Sequence, residues 1–188
     1  GDELWTSPVT FVASANCGLY CNAKVDFVDI NSDDLCIDLF LLEEKLSYRK
    51  LNKLKLPKVL VIVHLSGQST NMKKIKQLSD EYGFSIIEDA SHAIGAKYKN
   101  KLIGSCHYSD ITVFSLHPVK IITSGEGGLV TTNNQDLYKK MEKLRSHGIT
   151  KFPEEFQFNS KGPWYYEQQL LGYNYRMSDI SAALGKSQ

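Results

Sequence analysis

The sequence predicts an α/β fold: a mostly parallel sheet with helices on both faces. Three observations lead there. Strand-like and helix-like segments alternate along the chain, which is the pattern of crossover-connected parallel strands. Short continuous apolar runs, such as Val59 to Val63 and Ile111-Thr112-Val113-Phe114, suit strands covered on both sides. At 188 residues and 42% hydrophobic content the chain can bury a substantial core, and its length suits one domain.

Taken in order, Leu4 to Val9 reads as a strand and the small-residue stretch Ala13 to Ala23 as a closely packed helix. Val25 to Ile30 is the next strand. Asp38 is an expected N-cap for a helix carrying Leu39, Leu42 and Leu46 on one face. Val59 to Val63 is a buried run that ends at His64-Leu65-Ser66-Gly67, where the glycine suits a sharp exit. A helix from about Asn71 places Met72, Ile75, Leu78 and Tyr82 at helical spacing and stops at Gly83, a good left-handed C-cap.

Phe84 to Ile87 forms the following strand. The alternation between Ala96 and Gly104 predicts a small hairpin turning at Asn100 and Lys101. Strands Ile111 to Ser115 and Leu129 to Thr132 come next. Leu137, Met141 and Leu144 stripe a helix capped by Asn134 and stopped by Gly148. Thr150 to Asn174 shows no period and is broken by Pro153, Gly162 and Pro163; a stretch this long without regular structure is usually functional. A last helix begins near Ser178.

The charge balance excludes several classes of partner. Lys plus Arg number 22 against 21 acids, for a net charge of +1, so nothing draws the chain electrostatically to nucleic acid or an acidic membrane. No apolar run approaches a membrane span, and the opening Gly1-Asp2-Glu3 carries no signal-peptide pattern, which predicts a cytoplasmic location. Cys17, Cys21, Cys36 and Cys106 are too scattered for a zinc ribbon. Cys17 and Cys21 share one helix face, where small core residues are the commoner finding, so all four are read as reduced and structural, with no metal site.

The chemistry concentrates at two strand ends. Phe84-Ser85-Ile86-Ile87 runs into Glu88-Asp89-Ala90-Ser91-His92, and the strand ending at Phe114 runs into Ser115-Leu116-His117-Pro118-Val119-Lys120 and then Gly125-Glu126-Gly127-Gly128. In an open α/β sheet such ends meet in one crevice. A lysine in a cleft can lose its proton through desolvation and attack an aldehyde. A carboxylate at the neighbouring strand end can keep a pyridine nitrogen protonated, which pyridoxal chemistry requires. Taken singly, most lysines after a strand are solvated and most strand-end aspartates cap a turn. The glycines are no nucleotide fingerprint, because they lie between two strands; they suit close approach of the backbone beside Lys120. His64, His107 and His147 read as hydrogen-bonded structural residues. His117, three residues from Lys120, is open to a place on the substrate side.

The ordered set Asp89-Ala90-Ser91-His92-Ala93-Ile94-Gly95-Ala96, Phe114 to Lys120 and Gly125 to Gly128 resembles the DegT/StrS nucleotide-sugar aminotransferases. Leu144 to Ile149, Gly162 to Leu170 and Gly172 to Asp179 resemble most closely the branch that acts in pseudaminic acid synthesis. The resemblance implies a pyridoxal 5'-phosphate enzyme of fold type I, moving an amino group from glutamate to a keto carbon of a UDP-linked deoxysugar. It implies that Lys120 holds the cofactor as a Schiff base and then shuttles protons, and that Asp89 pairs with the pyridinium nitrogen. By the same resemblance His92 bonds the phenolic oxygen, Ser115 donates to the phosphate and Phe11 stacks on the ring. Asn174 matches a residue that reaches the neighbouring subunit's cofactor, so a homodimer is expected.

The match covers nearly the whole chain but only the middle half of a family chain. Residues 1–188 are therefore expected to be the central part of an incomplete large domain, with 150–176 an irregular loop region and six of seven sheet strands present. A phosphate-binding N-terminal segment and a C-terminal domain are expected to be absent. Two further readings stay open: a catalytically incomplete module that retains a dimer surface, and a sugar dehydratase of the same cofactor, against which Lys120 speaks because those enzymes replace the lysine with histidine.

Overall fold

The structure is a computed structural model that describes residues 1–188. A six-stranded sheet is built from β1 (Glu3–Thr6), β2 (Lys24–Phe27), β3 (Val59–Val63), β4 (Ser85–Asp89), β7 (Ile111–Ser115) and β8 (Gly128–Thr131), in the order β2-β1-β3-β4-β7-β8. All neighbours pair in parallel except β7 with β8. Helices α1 (Ala13–Tyr20), α2 (Leu39–Leu51) and α3 (Met72–Tyr82) supply the crossovers between the first four strands. Two-residue strands β5 (Lys97–Tyr98) and β6 (Lys101–Leu102) form a hairpin, and α4 (Gln135–Leu144), β9 (Ile149–Thr150), β10 (Glu167–Gln168) and α5 (Asp179–Lys186) complete the chain. No helix is long and apolar enough to cross a membrane.

Both faces of the sheet are covered around β1, β3 and β4, whereas Leu129 and Val130 of β8 stay exposed, and residues on the strands show what does the covering. Trp5 is fully buried beneath α2, whose Lys45 ammonium lies 4.6 Å from its ring centroid. Leu4, one residue earlier and so on the opposite face, meets α1: a Cβ at Gly18 would sit 3.2 Å from both Leu4 and Val25 side chains. The main core lies on the Trp5 face, where Leu42 and Leu46 of α2, Ile75 and Leu78 of α3, and Leu60 and Ile86 of the sheet are buried. Truncating one of those leucines to alanine costs about 2–5 kcal/mol.

The predicted N-cap of α2 and C-cap of α3 are present, and Asn71, at the expected start of α3, proves to cap it. Asp38 accepts from the backbone N–H groups of Phe40 and Leu41, Asn71 accepts from Lys74, and Gly83 takes the left-handed conformation at φ 78°. Asn134 and Ser178 cap α4 and α5 in the same way.

Several boundaries differ from the sequence expectation. β1 ends at Thr6, before Ser7-Pro8, and β2 ends at Phe27, because Ile30 leaves the sheet to bridge Ile37. α1 stops at Tyr20, with Asn22 at a positive φ of 56°. β4 starts at Ser85 and runs through Asp89, so the acid is the last residue of its strand. The hairpin turns at Lys99 and Asn100, one residue earlier than predicted, with Lys99 at φ 52°. The stretch expected to be wholly irregular contains an antiparallel pair, Glu167 opposite Thr150 and Gln168 opposite Ile149, and a 3-10 turn at Pro153–Glu155. Cys36 and Cys106 are buried, whereas Cys17 and Cys21 are exposed, contrary to a core role for that pair.

Candidate active site

The strand order sets where a site can form. From β1 the chain steps to β2 on one side, then crosses back over β1 to β3 and onward to β4. A crevice opens at the carboxyl ends of strands where the order reverses in this way. A cavity of about 360 Å³ lies there, walled by the segments that follow β1, β3, β4 and β7.

Strand register decides which side chains reach it. Leu4 pairs with Val59, Val63 with Asp89, and Asp89 with Val113, so Asp89 shares the α1 face of the sheet. Ser115, two residues beyond Val113, is on that face too. Glu88 falls on the opposite one. The cavity is lined by Phe11, Asp89, His92, Ser115 and Lys120, together with His64, His117 and Glu126. Five of the six residues singled out from the sequence thus meet in one place.

Asp89 is held from two directions. Its Oδ2 accepts the Ser14 hydroxyl at 2.6 Å, and its Oδ1 accepts the Ser91 hydroxyl at 2.6 Å and the Ser91 N–H at 3.1 Å. Ser14 is buried on α1 and is itself 2.8 Å from the Thr10 hydroxyl. The Ser66 N–H donates to His92 Nδ1 at 3.2 Å, which leaves the His92 Nε2–H as a donor. Phe11 is 73% exposed, an aromatic face at the mouth with little of the protein stacked on it.

The turn after β7 positions the amine. The Lys120 N–H donates to the His117 carbonyl at 3.0 Å, the Val119 N–H to His117 Nδ1 at 3.3 Å, and the His117 N–H to Ser115 Oγ at 3.3 Å. Because Ser115 accepts there, its own hydroxyl proton is available to a ligand. None of the ion pairs in the chain uses Lys120. The glycine run comes close to β7 rather than to Lys120: a Cβ at Gly128 would sit 2.9 Å from the Phe114 carbonyl oxygen, and nothing lies near a Cβ at Gly125. His117 Nε2 is 3.9 Å from Glu126 across the mouth.

Asn174 does not line this cavity. It is exposed and bridges Ser146 near the end of α4, while Tyr173 and Tyr175 beside it donate to the Leu144 and Arg145 carbonyls.

Sequence reasoning missed Ser14, Ser91, Glu126 and the partner of His64. Ser14 lies 75 residues from the acid it bonds, and no local pattern signals such a pairing. His64, read as a structural histidine, is fully buried with Nε2 2.6 Å from Glu88 Oε2. Glu88 also accepts from Thr112 at 3.0 Å and from Ser109. Burial pushes the Glu88 carboxyl up, but the hydrogen bonds from His64, Ser109 and Thr112 outweigh it and hold the group below the usual carboxylate range.

The residues present suit an aromatic, anionic cofactor that carries an aldehyde: an unpaired amine, an anchored carboxylate, an imidazole N–H donor, an available hydroxyl and an exposed phenyl ring share one cavity. A model of the DegT/DnrJ/EryC1/StrS aminotransferase family matches residues 1–188. A Campylobacter jejuni UDP-4-amino-4,6-dideoxy-N-acetyl-beta-L-altrosamine transaminase is 43% identical over 183 residues, covering 97% of this chain and 44% of that protein. The solved structure of Helicobacter pylori PseC, an aminotransferase of pseudaminic acid biosynthesis, superposes with a TM-score of 0.84 at 34% identity, over 100% of this chain and 45% of its own. A Streptococcus pneumoniae sugar aminotransferase solved in its PLP form gives a TM-score of 0.79 at 27% identity, over 100% of this chain and 48% of its own. The chain spans just under half the length of the relatives it matches.

Proposed function

The chain belongs to the DegT/DnrJ/EryC1/StrS aminotransferase family, and from that premise we propose that its full-length protein is a pyridoxal 5'-phosphate-dependent nucleotide-sugar aminotransferase. In this reading it moves an amino group from glutamate to a keto carbon of a UDP-linked deoxysugar, as in the synthesis of pseudaminic acid or a related surface glycan. The observation that carries the reading is the meeting of Lys120 and Asp89 in one cavity, beside His92, Ser115 and Phe11.

When bound, the cofactor supplies an electron sink that makes the carbon bearing the amino group acidic. The Lys120 amine would take that carbon's proton as general base and deliver it to the former aldehyde carbon as general acid, the shift that leaves the amino group on the cofactor. Asp89, oriented by Ser14 and Ser91, retains lone pairs to hold a proton at the pyridine nitrogen. His92 donates its Nε2–H to the phenolic oxygen, Ser115 its hydroxyl to a phosphate oxygen, and Phe11 covers the ring face. Asn174, outside the cavity, serves the site of a partner copy, which makes the working unit a homodimer. Residues 1–188 form the central part of the large domain, with 150–176 as a loop region that contains Asn174.

The test uses the full-length protein. Addition of pyridoxal phosphate should give an absorption band that borohydride fixes covalently on Lys120, and glutamate should discharge the band reversibly. Lys120→Ala should lose both. Covalent fixation elsewhere, or a glutamate response that survives the substitution, removes Lys120 from its role.

A further inference from the structure

The turn His64-Leu65-Ser66-Gly67 enters the cavity wall and touches two of the groups that would hold the cofactor ring, Asp89 and His92. The His64 ring is fully buried, and its Nε2–H donates to the Glu88 carboxylate at 2.6 Å on the sheet face opposite Asp89. The His64 backbone N–H donates to the Asp89 carbonyl at 3.0 Å. Glu88 and Asp89 are adjacent, so these two bonds close a ring around the last peptide of β4. Glu88 is anchored further by Ser109 and Thr112. The other end of the turn reaches His92: the Ser66 N–H donates to its Nδ1 at 3.2 Å, and a Cβ on Gly67 would sit 2.8 Å from its carbonyl oxygen. Ser66 and Gly67 reach these places only through positive φ angles of 54° and 84°.

We propose that His64 is a positioning residue: through its bond to Glu88 it locks the turn that aims the Asp89 carboxylate and fixes the His92 tautomer. A packed hydrocarbon at position 64 would fill the space without the bond to Glu88, and a buried polar group of this kind is retained where it specifies one arrangement. The His64 Nδ1 is buried without a protein partner. The inference rests on the reading of the cavity as a pyridoxal phosphate site, but its effect on His92 exists before any cofactor binds.

The experiment compares full-length wild type with His64→Leu and His64→Gln, the latter restoring an N–H donor towards Glu88. Nitrogen-15 chemical shifts of the His92 ring, measured without cofactor, should report the Nε2–H tautomer in wild type and His64→Gln and a mixture in His64→Leu. Pyridoxal phosphate affinity should fall about tenfold in His64→Leu, the size of one buried hydrogen bond, and return to within about threefold in His64→Gln. Turnover number should fall more than KM rises. Wild-type tautomer and affinity in a folded His64→Leu protein would overturn the proposal. If that variant does not fold, an Nδ1–H tautomer of His92 in the wild type overturns it, and an Nε2–H tautomer with rescue in His64→Gln supports it. A wild type that takes up no pyridoxal phosphate overturns the cofactor reading, while the His92 shifts still decide the role of His64.

Discussion

The Asp89 carboxylate accepts the Ser14 hydroxyl at 2.6 Å, a bond from helix α1 to the last residue of β4 across 75 positions of the chain. It ties the first crossover helix to the strand end that carries the acid. Removing a hydrogen bond to a charged group costs about 1.5–3 kcal/mol. Ser14→Ala should therefore weaken pyridoxal phosphate binding by about tenfold or more while borohydride still labels Lys120, as followed by absorbance titration and peptide mapping.

Asp89→Asn keeps the size of the side chain and one acceptor oxygen for Ser91, with its amide N–H turned to the Ser14 oxygen, but removes the charge that would hold the ring proton. Turnover should fall by about a hundredfold or more, in the range found when one preorganised electrostatic partner is lost. Thermal stability should change little, and steady-state kinetics beside a melting curve separates the two effects.

The buried Glu88 and His64 pair makes stability sensitive to acid. Burial raises the Glu88 carboxyl and the bonds from His64, Ser109 and Thr112 lower it by more, so its folded value lies below the ordinary glutamate value of 4.5. A group depressed on folding contributes stability that is complete above its unfolded value and is lost as pH falls through the folded one. Urea midpoints should thus decline as pH drops below about 4.5. Glu88→Gln should flatten that part of the profile while lowering stability at neutral pH by about 3 kcal/mol, the scale for breaking a buried pair.

Gly67 stands at φ 84°, with the His92 carbonyl where a Cβ would go. Gly67→Ala should lower stability by about 2 kcal/mol, from backbone strain and the displaced contact. It should also perturb the ring signals of His92. Gly83→Ala, at φ 78° but with nothing near its Cβ, is the comparison: it should cost less and leave His92 unchanged.

If Asn174 completes a partner's site, two inactive variants should complement each other. In an equilibrated mixture of Lys120→Ala with Asn174→Ala, half the dimers are mixed and each of those has one whole site. About one quarter of wild-type activity should return. Activity no greater than the sum of the two variants alone would place Asn174 in its own subunit's chemistry or in none.

What could be read from the residues in order was largely local physics. Asp38 and Gly83 each act on neighbours within a few positions, so the N-cap of α2 and the C-cap of α3 appear in the structure where the sequence placed them. The apolar runs identified the inner strands for the same reason: burial on both faces leaves no polar alternation. Boundaries went astray where non-local pairing decides them, as at β2, which stops when Ile30 bridges Ile37, or in Thr150 to Asn174, where Glu167 finds Thr150. Lys120, Asp89, His92, Ser115 and Phe11 were legible because each ends or follows an element with a motif behind it. Their common cavity required the strand order β2-β1-β3-β4-β7 and a parallel register that turns Asp89 and Ser115 to one face. Ser14 on Asp89 and His64 on Glu88 were decided by tertiary structure alone, because a hydrogen bond between distant residues leaves no trace in the periodicity of either segment.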